Sequence, residues 1–286
     1  MDILVTGAAG FLGRSLCRQL CASGHRVVGL GRRGPEDETV PWITVDLSSD
    51  GWIEALPRRI DAVVHLAQSD QYREFPAGAK NMFHVNVAST ARLADYALQA
   101  GARSFVLAST GSVYEPYSLE MTEAAPLSPK SFYSASKLAA ETLLIPYEEC
   151  MAVCILRLFF LYGPGGSGRL ISTLVDRIQG REAVVIDGPK DGLVMTPTYV
   201  DDVAEIFDRA VADEWNGIIN IAANEPLSIS EIAGRIGARL GIEVIFHREI
   251  DREPARIVPD LRKLASLTGL TRFRSFDAGL TDMFDG

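Results

Sequence analysis

Ile3-Leu4-Val5-Thr6-Gly7-Ala8-Ala9-Gly10-Phe11-Leu12-Gly13 joins a short apolar run to a helix-like stretch through glycines spaced three apart. Glycines at such a joint allow a tight turn, let backbone approach a pyrophosphate and let the helix pack closely on the strand. The helix N-terminus adds N–H groups and the positive end of a dipole for the anion. The expectation is a dinucleotide site in which Gly7, Gly10, Phe11, Leu12 and Gly13 meet the pyrophosphate.

Outward from this joint, apolar runs recur at Ile3–Thr6, Arg26–Leu30, Trp42–Val45, Ala62–Leu66, Ser104–Leu107 and Val153–Leu158. Helix-like stretches lie between them at Phe11–Ser23, His84–Ala100 and Ser131–Ile145, the last ending at Pro146. Continuous apolar runs alternating with helices predict strands covered on both faces, hence a parallel sheet between helix layers. The fold expected is α/β, a doubly wound parallel sheet of Rossmann type with a smaller C-terminal lobe. After Leu158 the regularity degrades into turns such as Tyr162–Gly168 and Gly188–Gly192, before a late strand at Ile218–Ala222 and a helix over Ser228–Leu240 opened by Ser230. This predicts an NAD(P)-binding domain of residues 1–160 and 199–222 and a substrate-binding lobe of residues 161–198 and 223–286.

The second strand ends in Gly31-Arg32-Arg33. A chain that prefers NAD carries an acidic residue about 20 positions beyond the glycines, for the ribose hydroxyls. Here no carboxylate repels a 2′-phosphate, and two guanidinium forks can bind one. NADP is therefore expected over NAD, the bland alternative being a solvated basic turn. Tyr133 and Lys137 stand four apart, on one face of a helix. An ammonium there lowers the phenol toward a value useful for acid/base work. A surface-helix reading stays open on this pair alone, but Ser109-Thr110-Gly111-Ser112 follows the fifth strand and can offer a hydroxyl to a reacting oxygen.

With these residues the chain resembles the extended short-chain dehydrogenases, the epimerase/dehydratase family that remodels nucleotide sugars. The resemblance also runs through Asp46-Leu47, His65-Leu66-Ala67, Asn86-Val87 with Thr90, Arg157, Tyr162-Gly163-Pro164-Gly165, Tyr199–Ala204 and Asn220-Ile221. It implies Thr110 as hydroxyl donor, Tyr133 as acid/base and Lys137 as its ribose-binding partner. Asp46, Leu47, Leu66 and Ala67 would then border the cofactor, Ser112 would border the substrate, and Asp201-Asp202 would cap a helix. Dehydratases of the family carry an acidic pair where this chain has Gly111-Ser112, so dehydration is not expected. NADPH-driven reduction of a 4-keto nucleotide sugar is the reading preferred from the sequence; a nucleotide-sugar 4-epimerase and a non-enzymatic dinucleotide sensor or scaffold are its alternatives.

Two departures concern substrate grip. Phe160 stands where relatives carry an Asn, and Met195 lies where they place an Arg toward the phosphates. Arg169, Arg252 and Arg256 are the candidate replacements, surface charges being the alternative. The helices holding Leu93–Leu98 and Leu138–Leu144 resemble a family dimer interface, so a homodimer is expected.

Composition sets the exclusions. Apolar residues make up 47 % and charged residues 23 % of the 286, with a formal net charge of −9. The acidic balance argues against nucleic acid and for small-molecule partners. No stretch approaches the ~20 apolar residues of a membrane helix and no leader is apparent, so a cytoplasmic protein without a membrane partner is expected. Cys17, Cys21, Cys150 and Cys154 lack zinc spacing and the histidines are scattered, so no metal is expected.

Overall fold

The computed structural model describes residues 1–34, 40–117, 121–188, 191–249, 255–269 and 273–285. In chain order the elements begin with β1 (Asp2–Thr6), α1 (Phe11–Ala22), β2 (Arg26–Gly31), β3 (Trp42–Thr44) and β4 (Ala62–His65). There follow α2 (Ala79–Met82), α3 (Ser89–Gln99), β5 (Ser104–Thr110), α4 (Phe132–Leu144) and β6 (Ala152–Leu158). Next come β7 (Leu161–Tyr162), α5 (Leu170–Gln179), β8 (Val184–Asp187), β9 (Val194–Met195), β10 (Thr198–Tyr199), α6 (Val200–Ala212) and β11 (Gly217–Ile221). The chain closes with β12 (Leu227–Ser228), α7 (Ile229–Leu240), β13 (Phe246–Glu249), β14 (Arg256–Ile257), α8 (Arg262–Thr268) and α9 (Phe276–Asp285). Two compact units result, Met1–Pro116 with Leu127–Arg157 and Val203–Ile219, and Tyr117–Pro126 with Leu158–Asp202 and Asn220–Gly286.

The first unit is built on a seven-stranded parallel sheet in the order β11-β6-β5-β4-β1-β2-β3. Its strands are apolar on both faces: Leu4, Val5, Val63, Val64, Phe105, Val106 and Ile155 have no exposed surface, as a sheet between helix layers requires. Leu93 of α3 and Leu144 of α4 close one layer of that core. Chain order reverses beside β1, with β2 on one side and β4 on the other. Ligands of open α/β sheets bind at the carboxyl ends of strands around such a reversal, and Thr6, Gly31, His65 and Thr110 end β1, β2, β4 and β5 there.

Helix starts differ from expectation in two places, for local reasons. The stretch expected as a helix from His84 opens instead as a π turn over Phe83–Ala88. Ser89 and Thr90 donate their hydroxyls to the carbonyls of Val85 and Asn86, four residues back, and such back-bonding competes with regular helix. At α7 the cap is Ser228, not Ser230. Ser228 Oγ accepts from the Glu231 amide at 3.2 Å while Glu231 Oε2 accepts from the Ser228 amide at 2.8 Å, a reciprocal capping box.

The second unit gathers Ile171, Leu174 and Ile178 of α5, Ile232 and Ile236 of α7, and Phe276 and Leu280 of α9 around one core. Tyr162, expected to open a turn-rich link, belongs to that core, its ring 5.5 Å from Tyr199 and 5.2 Å from Phe276. Asp202 is buried and pairs with Arg274, whose amide also donates to it. Pro189, Lys190 and Arg252 lie outside the described residues. Among the described residues no helix is long and apolar enough to cross a membrane, and no group of three or more His, Cys, Asp or Glu side chains is placed to hold a metal ion.

Candidate active site

The joint after β1 is shaped by contacts that only glycine permits. Gly7 has φ +69°, and a Cβ there would lie 2.8 Å from the Ala67 nitrogen; one on Gly13 would lie 2.2 Å from the Gly7 carbonyl oxygen. Gly10 caps α1 without a side chain, and the first turn holds no acidic residue. An anion meeting this end of α1 therefore faces backbone amides, with no acidic side chain in that turn to oppose it. These features fit a dinucleotide pyrophosphate.

Behind the turn, hydrogen bonds cross from β1 to β4. The Ala67 amide donates to Thr6 Oγ1 at 3.2 Å, and Thr6 Oγ1 stands 2.6 Å from His65 Nδ1. Burial, helped by the charge of Lys137, pushes the His65 imidazole down to about 3, so it is neutral. Because the Ser89 hydroxyl donates to the Val85 carbonyl, it can only accept from Nε2, so Nδ1 is the unprotonated nitrogen and accepts the Thr6 proton. Nε2–H is thus directed at Ser89 Oγ, 3.4 Å away.

Ser131 caps α4 by accepting from the Ser134 amide at 3.0 Å, which places Tyr133 in the first turn, with Lys137 and Glu141 at successive turns of the same face. The Tyr133 phenol donates to Gln68 Oε1 at 3.1 Å, and its ring lies 5.4 Å from that of Tyr72. Lys137 is buried; desolvation pulls its ammonium down to about 8 while the Glu141 carboxylate opposes the shift. Thr110 ends β5, and its Oγ1 accepts from the Ser112 amide at 3.2 Å. Asn86, in the π turn, accepts from the Ser69 amide and donates to Ser136 Oγ, both at 2.9 Å. It thereby ties the Gln68 segment to α4.

Glu141 escaped the sequence reading, although its i+4 step from Lys137 was visible. Its carboxylate accepts from Arg157 at 2.7 and 3.2 Å and from Ser109 Oγ, and Arg157 donates to the Tyr114 hydroxyl at 2.7 Å. This buried network fixes the inner face of α4 against β5 and β6.

Just past the end of β2, Arg32 Nη2 meets Asp70 Oδ2 at 2.9 Å, both side chains largely exposed. The Asp46 carboxyl is held below the usual carboxylate range by the Ser48 hydroxyl and amide, with Arg32 adding to the effect. Arg33 is exposed, Leu47 is buried, and Leu66 and Ala67 are half-buried.

In the second unit the predicted substrate residues differ in what they can offer. Met195 is completely buried in the core, paired with Leu227 and Ile257, so its side chain presents no surface to a ligand. Phe160 adopts φ +42°, and its carbonyl accepts from the Thr198 amide at 3.0 Å. Arg169, at the N-terminus of α5, and Arg256, in β14, are exposed.

A parallel sheet with a glycine turn at its reversal point defines a Rossmann-type α/β protein. The sequence model of the NAD dependent epimerase/dehydratase family matches residues 3–222, and the chain belongs to that family. Among curated relatives, UDP-glucuronic acid decarboxylase 1 of Xenopus tropicalis is 27 % identical over 97 % of this chain and 70 % of its own. UDP-glucose 4-epimerase of Mycolicibacterium smegmatis is 31 % identical over 83 % of each chain. Among solved structures, MoeE5 in complex with UDP-glucuronic acid and NAD superposes with a TM-score of 0.86 at 30 % identity, over 100 % of this chain and 98 % of that one.

Proposed function

We propose that the protein is an NAD(P)-dependent nucleotide-sugar epimerase, in which Thr110, Tyr133 and Lys137 handle the reacting hydroxyl. The observation that carries this is the buried Lys137 one turn from Tyr133 on α4. An ammonium kept out of water stabilises a phenolate more strongly than an exposed one would. Tyr133 then accepts the proton of the sugar hydroxyl and returns it, while Thr110 donates a hydrogen bond to the same oxygen. Gly7, Gly10, Phe11, Leu12 and Gly13, with Asp46, Leu47, Leu66 and Ala67, would hold the dinucleotide. The nicotinamide, when bound, supplies reversible hydride acceptance.

The relatives' names support a UDP-sugar as substrate and favour epimerisation over the one-way reduction preferred from the sequence. Reduction keeps one observation in its favour, Gly31-Arg32-Arg33, which suits NADPH. The Arg32–Asp70 pair would have to yield to a 2′-phosphate, but an exposed pair is worth only about 0–1 kcal/mol, against roughly 1.5–3 kcal/mol for a charge-assisted bond. We accordingly propose NADP as the preferred cofactor, with NAD as the alternative. The substrate diphosphate is assigned to Arg169 and Arg256, with Ser112 and Phe160 near the sugar. A homodimer through α3 and α4 is also proposed, where Leu98 and Leu143 remain exposed.

The test is to incubate the protein with NAD or NADP and UDP-glucose or UDP-glucuronic acid, then with 4-keto nucleotide sugars and NADPH. Nuclear magnetic resonance would identify the products. An epimer formed with no net change in cofactor absorbance supports the proposal. Stoichiometric NADPH consumption with a 4-keto sugar alone would replace it by the reductase reading.

A further inference from the structure

Trp42 opens β3 opposite Gly29 of β2, and its indole lies along the face of β2 that meets the glycine turn. A Cβ on Gly29 would stand 2.7 Å from Trp42 Cε3 and 3.2 Å from the Ala8 Cβ; one on Gly31 would stand 3.1 Å from Trp42 Cζ2. Residues 29 and 31 are two apart on a strand and so face the same side. The indole thus covers position 31, the last residue of β2, where a carboxylate would reach the ribose hydroxyls of NAD. Carbon atoms settle at about 3.5–4.0 Å, so even a methyl group there is crowded, and a carboxymethyl group more so. Trp42 Nε1 is buried without an acceptor among the described residues; the indole acts by its bulk.

We propose that Trp42 is a specificity-determining residue for the cofactor: by covering Gly31 it excludes the ribose-binding carboxylate and leaves the adenosine 2′ position to Arg32 and Arg33. This rests on the dinucleotide reading above. It reaches further, because it makes the choice at position 31 depend on a residue of the neighbouring strand. Removing the indole opens the space for an acidic side chain without touching either arginine.

The experiment is a double-mutant cycle on the full chain, with Gly31→Asp, Trp42→Val and the pair, titrated calorimetrically with NADH and NADPH. Gly31→Asp alone should weaken both dinucleotides, whereas the double variant should bind NADH at least about tenfold more tightly than Gly31→Asp does. Gly31→Asp that gains NADH affinity as fully as the double variant overturns the proposal. Should Gly31→Asp fail to fold, Gly31→Ala provides the same cycle read by Tm. Its loss should be smaller in the Trp42→Val background, and additive losses overturn the proposal. A wild-type chain that binds NADH and NADPH equally, with the coupling between positions 31 and 42 intact, supports the role of Trp42 and removes only the NADP preference. A chain that binds neither dinucleotide overturns both.

Discussion

In the first unit Arg157 and Glu141 meet with their side chains 1 % and 2 % exposed, whereas in the second Arg239 and Asp285 meet with 37 % and 57 % of theirs exposed. The exposed pair ties α7 to α9 directly at the solvated surface, where ion pairs contribute little. The buried pair had to shed its hydration, and such a pair seldom adds net stability over an apolar replacement. Its value lies in geometry. Ser109 and Arg157, the latter also bonded to Tyr114, converge on a carboxylate one turn beyond Lys137, which anchors the face of α4 that carries Tyr133. The contrast teaches that the first unit encloses both partners of this pair behind the proposed reacting groups, whereas in the second even the buried Asp202 meets an Arg274 that stays partly exposed.

Four substitutions can break or sharpen this contrast. The largest effect is expected from Tyr133→Phe, which removes the phenolic proton and should lower turnover by ~10²–10⁴-fold. Cofactor affinity and Tm should hardly move; a large fall in Tm would mean that this face serves stability after all. Next, Glu141→Ala takes from the buried Arg157 its carboxylate partner, and denaturant unfolding should show a loss of about 3–5 kcal/mol.

Lys137→Met should act in the opposite direction. The folded-state value of Lys137 is lowered to about 8 from an ordinary 10.5, so between those pH values the unfolded chain binds more protons and stability rises with pH. Burial of the ammonium is therefore costly in full below pH 8, and the cost is relieved as pH climbs toward 10.5. Lys137→Met should gain up to about 3 kcal/mol at pH 7 and lose that advantage above pH 10.5. Melting curves at the two pH values check this, while turnover of the wild type should fall as pH rises through about 8. The smallest effect belongs to the second unit. Arg239→Ala should change stability by less than about 1 kcal/mol, and a loss matching that of Glu141→Ala would erase the distinction between the units.

Legibility in the sequence follows the same division. The glycine joint and the strands around it were readable because backbone crowding and two-sided burial leave a local signature: Gly7 and Gly13 have no room for a Cβ. Glu141 was not, since one acidic residue on a helix reads as solvated until β6 is known to set Arg157 against it. Trp42 reads as an ordinary strand residue, and its hold on Gly31 exists only through the register of β2 and β3. In the second unit β7, β9, β10, β12 and β14 are two residues long, too short to show a period. Met195 was expected at a ligand because it stands where relatives place an Arg, and nothing in so short a strand signalled that its side chain lies in the core.

The hydrogen bonds running from Ala67 through Thr6 and His65 to Ser89 all point one way, and this makes acid a release catch for the glycine turn. A proton on His65 would turn Nδ1 into a donor facing an oxygen that already accepts from Ala67, and the Thr6 proton would have to find another acceptor. Because the folded value lies at about 3, below the ordinary 6.5, the unfolded chain takes up the proton first. The stability held here is complete above pH 6.5 and drains away as pH falls toward 3. Ala67 is the residue that backs Gly7, so the grip on a dinucleotide should slacken with acid before the sheet itself gives way.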